Sequence, residues 1–83
     1  MATTTSETQP ERLSEKVQLR RSLPPPALRS ALRKVNGLTQ QDLARELGCD
    51  RVTIGRYERG ERTPRGGALV RYVELLHTLS GAA

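Results

Sequence analysis

The chain has 83 residues, with 14 lysines and arginines against 9 acids and a formal charge of +5, so it allows one small domain and favours a polyanionic partner. No apolar run approaches the roughly 18 residues of a membrane span and no signal peptide is expected, while the single cysteine, Cys49, excludes an internal disulfide and a multi-cysteine metal site and fits a reducing cytosol. The only aromatics, Tyr57 and Tyr72, are too few for recognition of single strands by base stacking.

Residues 1–11 are mainly Thr, Ser, Gln and acid, with almost nothing apolar, and are expected to form a disordered tail. Residues 12–24 form a basic segment. Leu13 to Leu23 has helical propensity but no clean apolar stripe. Three readings stay open for its Lys16, Arg20 and Arg21: an arm along the DNA backbone or in the minor groove, a helix packed on the domain, or a solvated surface. Pro24, Pro25 and Pro26 force a break, and Pro26 suits the first turn of a following helix. Leu28, Ala31, Leu32 and Val35 sit at helical spacing and are the expected buried face of that helix, which Asn36-Gly37 stops.

Thr39 is an expected N-cap, with Asp42 three residues on as an acidic variant of the capping box. Leu43, Ala44 and Leu47 supply the buried face of the next helix, ended at Gly48. Asp50 caps a helix from Arg51 to Arg59, closed by Gly60. Pro64, Gly66 and Gly67 mark a loop, after which Leu69, Tyr72, Val73, Leu76 and Leu79 line a last helix. No strand is predicted. The expected fold is all-α and compact, a four-helix helix-turn-helix domain over 25–80, five helices if the N-terminal segment folds, with 81–83 a short tail.

The most informative spacing is that of a helix-turn-helix unit from about Gln40 to Gly60. Counted from Gln40, Leu43, Leu47, Cys49, Ile54 and Tyr57 fall where two crossed helices must be apolar. Ala44 falls where they approach too closely for a large side chain, and Gly48 where the turn requires positive φ. Random apolar patterning rarely meets all seven requirements.

The stretch Leu38-Thr39-Gln40-Gln41-Asp42-Leu43-Ala44-Arg45-Glu46-Leu47-Gly48, followed by Thr53-Ile54-Gly55-Arg56-Tyr57-Glu58-Arg59-Gly60, resembles the xenobiotic-response-element (XRE) family. These are the Cro-like and lambda-repressor-like helix-turn-helix proteins. The resemblance runs from about Leu28 to Leu79. It implies a recognition helix in the major groove and dimeric binding to double-stranded operator DNA.

Base contact would fall to Arg51, Val52 and Arg56. An arginine donates bidentately to guanine O6 and N7, whereas valine packs on a thymine methyl. Backbone contact would fall to Gln40, Thr53, Arg59, Arg62 and Arg65, with Gln40 at a helix N-terminus whose open N–H groups suit a phosphate. Glu58 and Arg33 would form an internal ion pair. Gly55 departs from the family pattern, where a polar side chain is common; it either lets backbone approach DNA or makes no contact.

From Arg51 to Arg71 there are six arginines against two acids, set on and after the expected reading helix, which favours DNA contact over a merely solvated face. Cys49 is expected to be inert core, and His77 has no second ligand at useful spacing, so no metal, cofactor or small-molecule ligand is expected. An enzyme is not expected, for want of a nucleophile–base pair or a phosphate-cradling loop. With Val70 and Leu75 added, the last helix is apolar over more than half its circumference. Either the N-terminal segment covers the excess or, the preferred reading, a second subunit does.

The expected function is sequence-specific regulation, as a repressor on a palindromic operator, in the cytoplasm. Two rivals stand beside it: an antitoxin that binds a toxin while repressing its own operon, and an architectural or excision factor that bends DNA.

Overall fold

The computed structural model describes residues 13–81. The disordered tail expected over 1–11 and the last two residues of the expected C-terminal tail lie outside them. Five helices follow one another: α1 over 13–21, α2 at Pro26–Val35, α3 at Gln40–Leu47, α4 at Arg51–Arg59 and α5 at Gly66–Leu79. There is no strand among the described residues.

Local chemistry sets most of the helix ends. α1 stops where Ser22 and Leu23 fold back on the carbonyls of Gln18, Leu19 and Arg20, ahead of the three prolines. α2 opens with Pro26 in its first turn, where the missing N–H costs no intrahelical bond. At α3 the capping box is complete: Thr39 Oγ1 accepts from the Asp42 backbone N–H at 3.0 Å, and the Asp42 carboxylate accepts from the Thr39 N–H at 2.8 Å. The two bonds hold the Asp42 carboxyl below the usual carboxylate range. Asp50 caps α4 by accepting from the Thr53 N–H at 2.7 Å, with the same effect on its carboxyl. Gly48 and Gly60 close the two helices in the left-handed conformation.

α3 packs on α4, and α2 and α5 pack against that pair. The core is Leu43, Ala44 and Leu47 from α3, Ile54 and Tyr57 from α4, and Tyr72 and Leu76 from α5. Leu23, Leu32, Leu38, Cys49, Leu75 and Leu79 pack around it. Ala44 is fully buried, which lets the α3 and α4 backbones approach. The rings of Tyr57 and Tyr72 stack at a tilt, 5.2 Å apart. Cys49 is half-buried against this core, and burial pushes its thiol up, away from the reactive thiolate.

Two expectations fail. The buried face of α2 is not the one its apolar residues suggest: Leu28 is 47% exposed, Val35 is 85% exposed and Ala31 lies at the surface, and of the four only Leu32 packs on the core. Arg29 and Arg33 turn inward instead, at 8% exposure each. Arg29 donates through Nε to the Pro24 carbonyl and through Nη1 to the Tyr57 carbonyl, both at 2.8 Å. Arg33 donates to Glu58 and, at 3.0 Å, to the Leu38 carbonyl. Both side chains close carbonyls at helix ends and turns while burying their aliphatic stems, so polar satisfaction outweighs the aliphatic stripe.

The second failure concerns Gly66 and Gly67, which belong to the first turn of α5 and not to a loop. Gly66 sits at φ 57°, where glycine is favoured, so the cost of about 1 kcal/mol relative to alanine falls on Gly67. Packing of Leu69, Tyr72 and Leu76 against the core outweighs that for the helix as a whole.

Candidate nucleic-acid interface

α4 carries the candidate reading surface because its inner face is fully used. Ile54, Gly55, Tyr57 and Glu58 are buried, which leaves Arg51, Val52, Arg56 and Arg59 pointing outward at helical spacing. Val52 is 56% exposed, a high value for an aliphatic side chain with no polar function of its own. Arg51 and Arg56 form no ion pair and no side-chain hydrogen bond among the described residues. Arg62 and Arg65 follow on the exposed connector, equally unpaired there.

Behind this face sits a fixed ion pair. Arg33 Nε donates to Glu58 Oε2 at 2.6 Å and Nη2 to Oε1 at 3.0 Å, with both residues more than nine-tenths buried. This two-pronged contact raises the Arg33 pKa above its ordinary value, the hydrogen bond donated to Glu58 being the largest cause. It ties α2 to the last turn of α4 and neutralises the one acid on that helix.

Gln40 also joins the pair. Its Nε2 donates to Glu58 Oε1 at 3.1 Å, so the half-buried side chain reaches inward from the first residue of α3. A Cβ at Gly55 would lie 3.7 Å from that amide nitrogen and 3.1 Å from Arg59 Nη1. Gly55 is therefore the floor beneath Gln40 and Arg59, and a larger residue there would displace the Arg59 head. Thr53 is half-buried, its backbone N–H held by Asp50. Arg59, although exposed, pairs with the Glu61 carboxylate.

The structure thus brings Gln40, Arg33 and Glu58 into one buried cluster and sets Arg51, Val52 and Arg56 on one open face. Arg29 escaped the sequence reading altogether. Its signal was its position four residues before Arg33, on the same face of α2. No group of three His, Cys, Asp or Glu side chains among the described residues could hold a metal, and no helix there is long and apolar enough to cross a membrane.

A family model described as helix-turn-helix, HTH_3, matches residues 30–80, well over half of the chain. No curated protein and no solved structure matches it. The matched region begins within α2 and ends just past α5, so it holds both helices of the reading unit and the helices that brace them. The chain belongs to the XRE family of helix-turn-helix proteins, the Cro-like and lambda-repressor-like DNA-binding regulators of transcription.

Proposed function

We propose that the chain is a sequence-specific repressor that inserts α4 into the major groove of a palindromic operator, as a homodimer. The observation that carries this reading is the outward face of α4. It offers two unpaired arginines and an exposed valine on a helix braced from behind by Arg33 and Glu58. Arg51 and Arg56 each present a planar fork for the O6 and N7 of guanine, and Val52 packs on a thymine methyl. Arg62 and Arg65 grip the sugar–phosphate backbone, giving affinity that falls with salt.

Three backbone roles take a specific form. Because the Gln40 amide faces Glu58, the phosphate at α3 is held by the first-turn N–H groups that the capping box leaves open. Thr53 lies one residue beyond Val52 and borders the same strand. Arg59 reaches a phosphate through its open Nη1 while Nε and Nη2 stay on the Glu61 carboxylate. Repression is steric, with residues 25–80 as the binding domain, 12–24 as a basic extension and the cytoplasm as the compartment.

Binding-site selection from a random duplex pool tests the reading, with Arg51→Ala plus Arg56→Ala as the control. The expected result is a two-fold motif with half-sites about one helical turn apart, absent for the double variant. Loss of both guanine contacts should cost at least about 2 kcal/mol of discrimination. No enrichment at modest salt overturns specific recognition and moves the toxin-binding alternative to first place.

A further inference from the structure

A cleft of about 850 Å³ opens between the end of α1, the start of α2 and the connector into α5. Four arginines line it from separate segments: Arg20, Arg29, Arg62 and Arg65. We propose that this cleft is a binding site for a phosphate group, separate from the base-reading face of α4.

The central observation is Arg29. It is 92% buried by its 8% exposure, its two bonds go to backbone carbonyls, and no carboxylate pairs with it among the described residues. A buried charge without a counter-charge is costly, and the neighbouring Arg33 meets the same problem with Glu58. Arg29 instead lines a cleft together with three more arginines. The one acid in the lining, Glu61, is engaged by Arg59. The first turn of α5 borders the cleft at Ala68 and brings open N–H groups without an acidic residue or a side-chain cap.

Four arginines against one engaged acid leave the lining positive, which suits an anion, and forked donors from separate segments suit the tetrahedral oxygens of phosphate. The volume falls in the range of sites that hold small organic ligands, so a phosphate can enter with an attached sugar. Leu23, packed on the core, donates its N–H to the Arg20 carbonyl and so anchors the turn that carries Arg20 to the cleft. In this way α1 becomes a working part of the domain.

The phosphate can come from duplex DNA flanking the site read by α4, or from a free phosphate-bearing molecule. The DNA source rests on the regulator reading above; the free source does not. Two arms on the full chain separate them. In the first, inorganic phosphate is titrated without DNA while the arginine Nε–H signals are followed by NMR. The expected result is saturable shifts at Arg20, Arg29, Arg62 and Arg65, with Arg45 on α3 as the unshifted control, and weaker binding by Arg20→Gln. Arg20 is exposed, so that variant leaves the core intact.

In the second arm, binding to a mixed-sequence duplex is measured against salt. Arg20→Gln should flatten the slope of log K against log[salt] by about one. Shifts together with the flattened slope assign the site to DNA phosphates, as does the flattened slope alone. Shifts with an unchanged slope assign it to a free phosphate ligand. No shift at millimolar phosphate together with an unchanged slope overturns the proposal. If the wild-type chain binds no duplex at all, the regulator reading fails, and the phosphate titration alone decides the cleft.

Discussion

At the scale of single residues, the domain depends on how it treats buried polar groups. Glu58→Ala leaves Arg33 buried without its counter-charge, and removal of one partner of a buried pair costs about 3–5 kcal/mol. A loss of that size should be visible as a lower urea midpoint, and replacing both partners by apolar residues should recover most of it. Full stability of Glu58→Ala would show that the pair contributes nothing to the fold. Tyr72 is the opposite case: it is fully buried, and no group among the described residues bonds its hydroxyl. Tyr72→Phe removes an unsatisfied polar atom and should stabilise the domain by about 1 kcal/mol.

The Tyr72 site also gives a pH dependence. Burial raises the phenol above its ordinary value near 10.0, so the folded state holds the proton more tightly than the unfolded chain. That contribution is fully present below the unfolded value and is lost as pH rises past it. Wild-type stability should therefore fall above a pH of about 10 more steeply than that of Tyr72→Phe, read by far-UV circular dichroism in urea. Parallel pH profiles for the two proteins would refute this origin of alkaline instability.

At the scale of helices, what the sequence made legible was what neighbouring residues decide. Thr39 with Asp42, and Asp50 with the N–H of Thr53, are interactions across three residues, and they place the starts of α3 and α4. The face of α2 was not legible in its own apolar spacing: the partner of Arg29, the Tyr57 carbonyl, lies 28 residues on, and that of Arg33, Glu58, lies 25 residues on and was expected only from the family resemblance. Gln40 turns inward for the same reason, its partner lying 18 residues away. The four-arginine cleft was likewise hidden, since its walls come from segments that only tertiary structure brings together.

The two helix-closing glycines offer a test at this scale. Both hold left-handed backbone, at φ 70° for Gly48 and 73° for Gly60. A Cβ at Gly48 meets nothing within 4 Å, so Gly48→Ala should cost only the backbone preference, about 1–2 kcal/mol. A Cβ at Gly60 would come within 2.9 Å of the Pro26 ring, which is rigid and sits at the start of α2. Gly60→Ala should therefore lose more stability than Gly48→Ala in urea denaturation. Equal losses would mean that α2 yields freely and that its junction with α4 is loose.

At the scale of the whole molecule, the issue is how one short reading helix reaches useful affinity. A single module of this size covers about 600–1,000 Å² of DNA-facing surface, and a second copy held on the same duplex makes the second binding step intramolecular. Under the proposed dimer, the α5 surface narrows where a second copy would dock. Leu69, Tyr72 and Leu76 face the core and Leu75 and Leu79 pack against it, which leaves Val70 40% exposed beside the half-buried Val73. Part of this margin is shared with the N-terminal helix, because Leu19 and Lys16 line a groove with Leu69 and Val70. The same helix exposes Val17 by 44%. A two-fold contact built on this margin would bring Val70 near its own symmetry mate, so one introduced charge acts twice. Val70→Lys should then turn a dimer into a monomer by sedimentation velocity. It should weaken binding to a two-half-site duplex by at least tenfold while leaving binding to a single half-site nearly unchanged. If only Val17→Lys has that effect, the contact runs through the N-terminal helix. If the wild-type chain sediments as a monomer at every concentration and binds both duplexes alike, each chain reads its half-site alone.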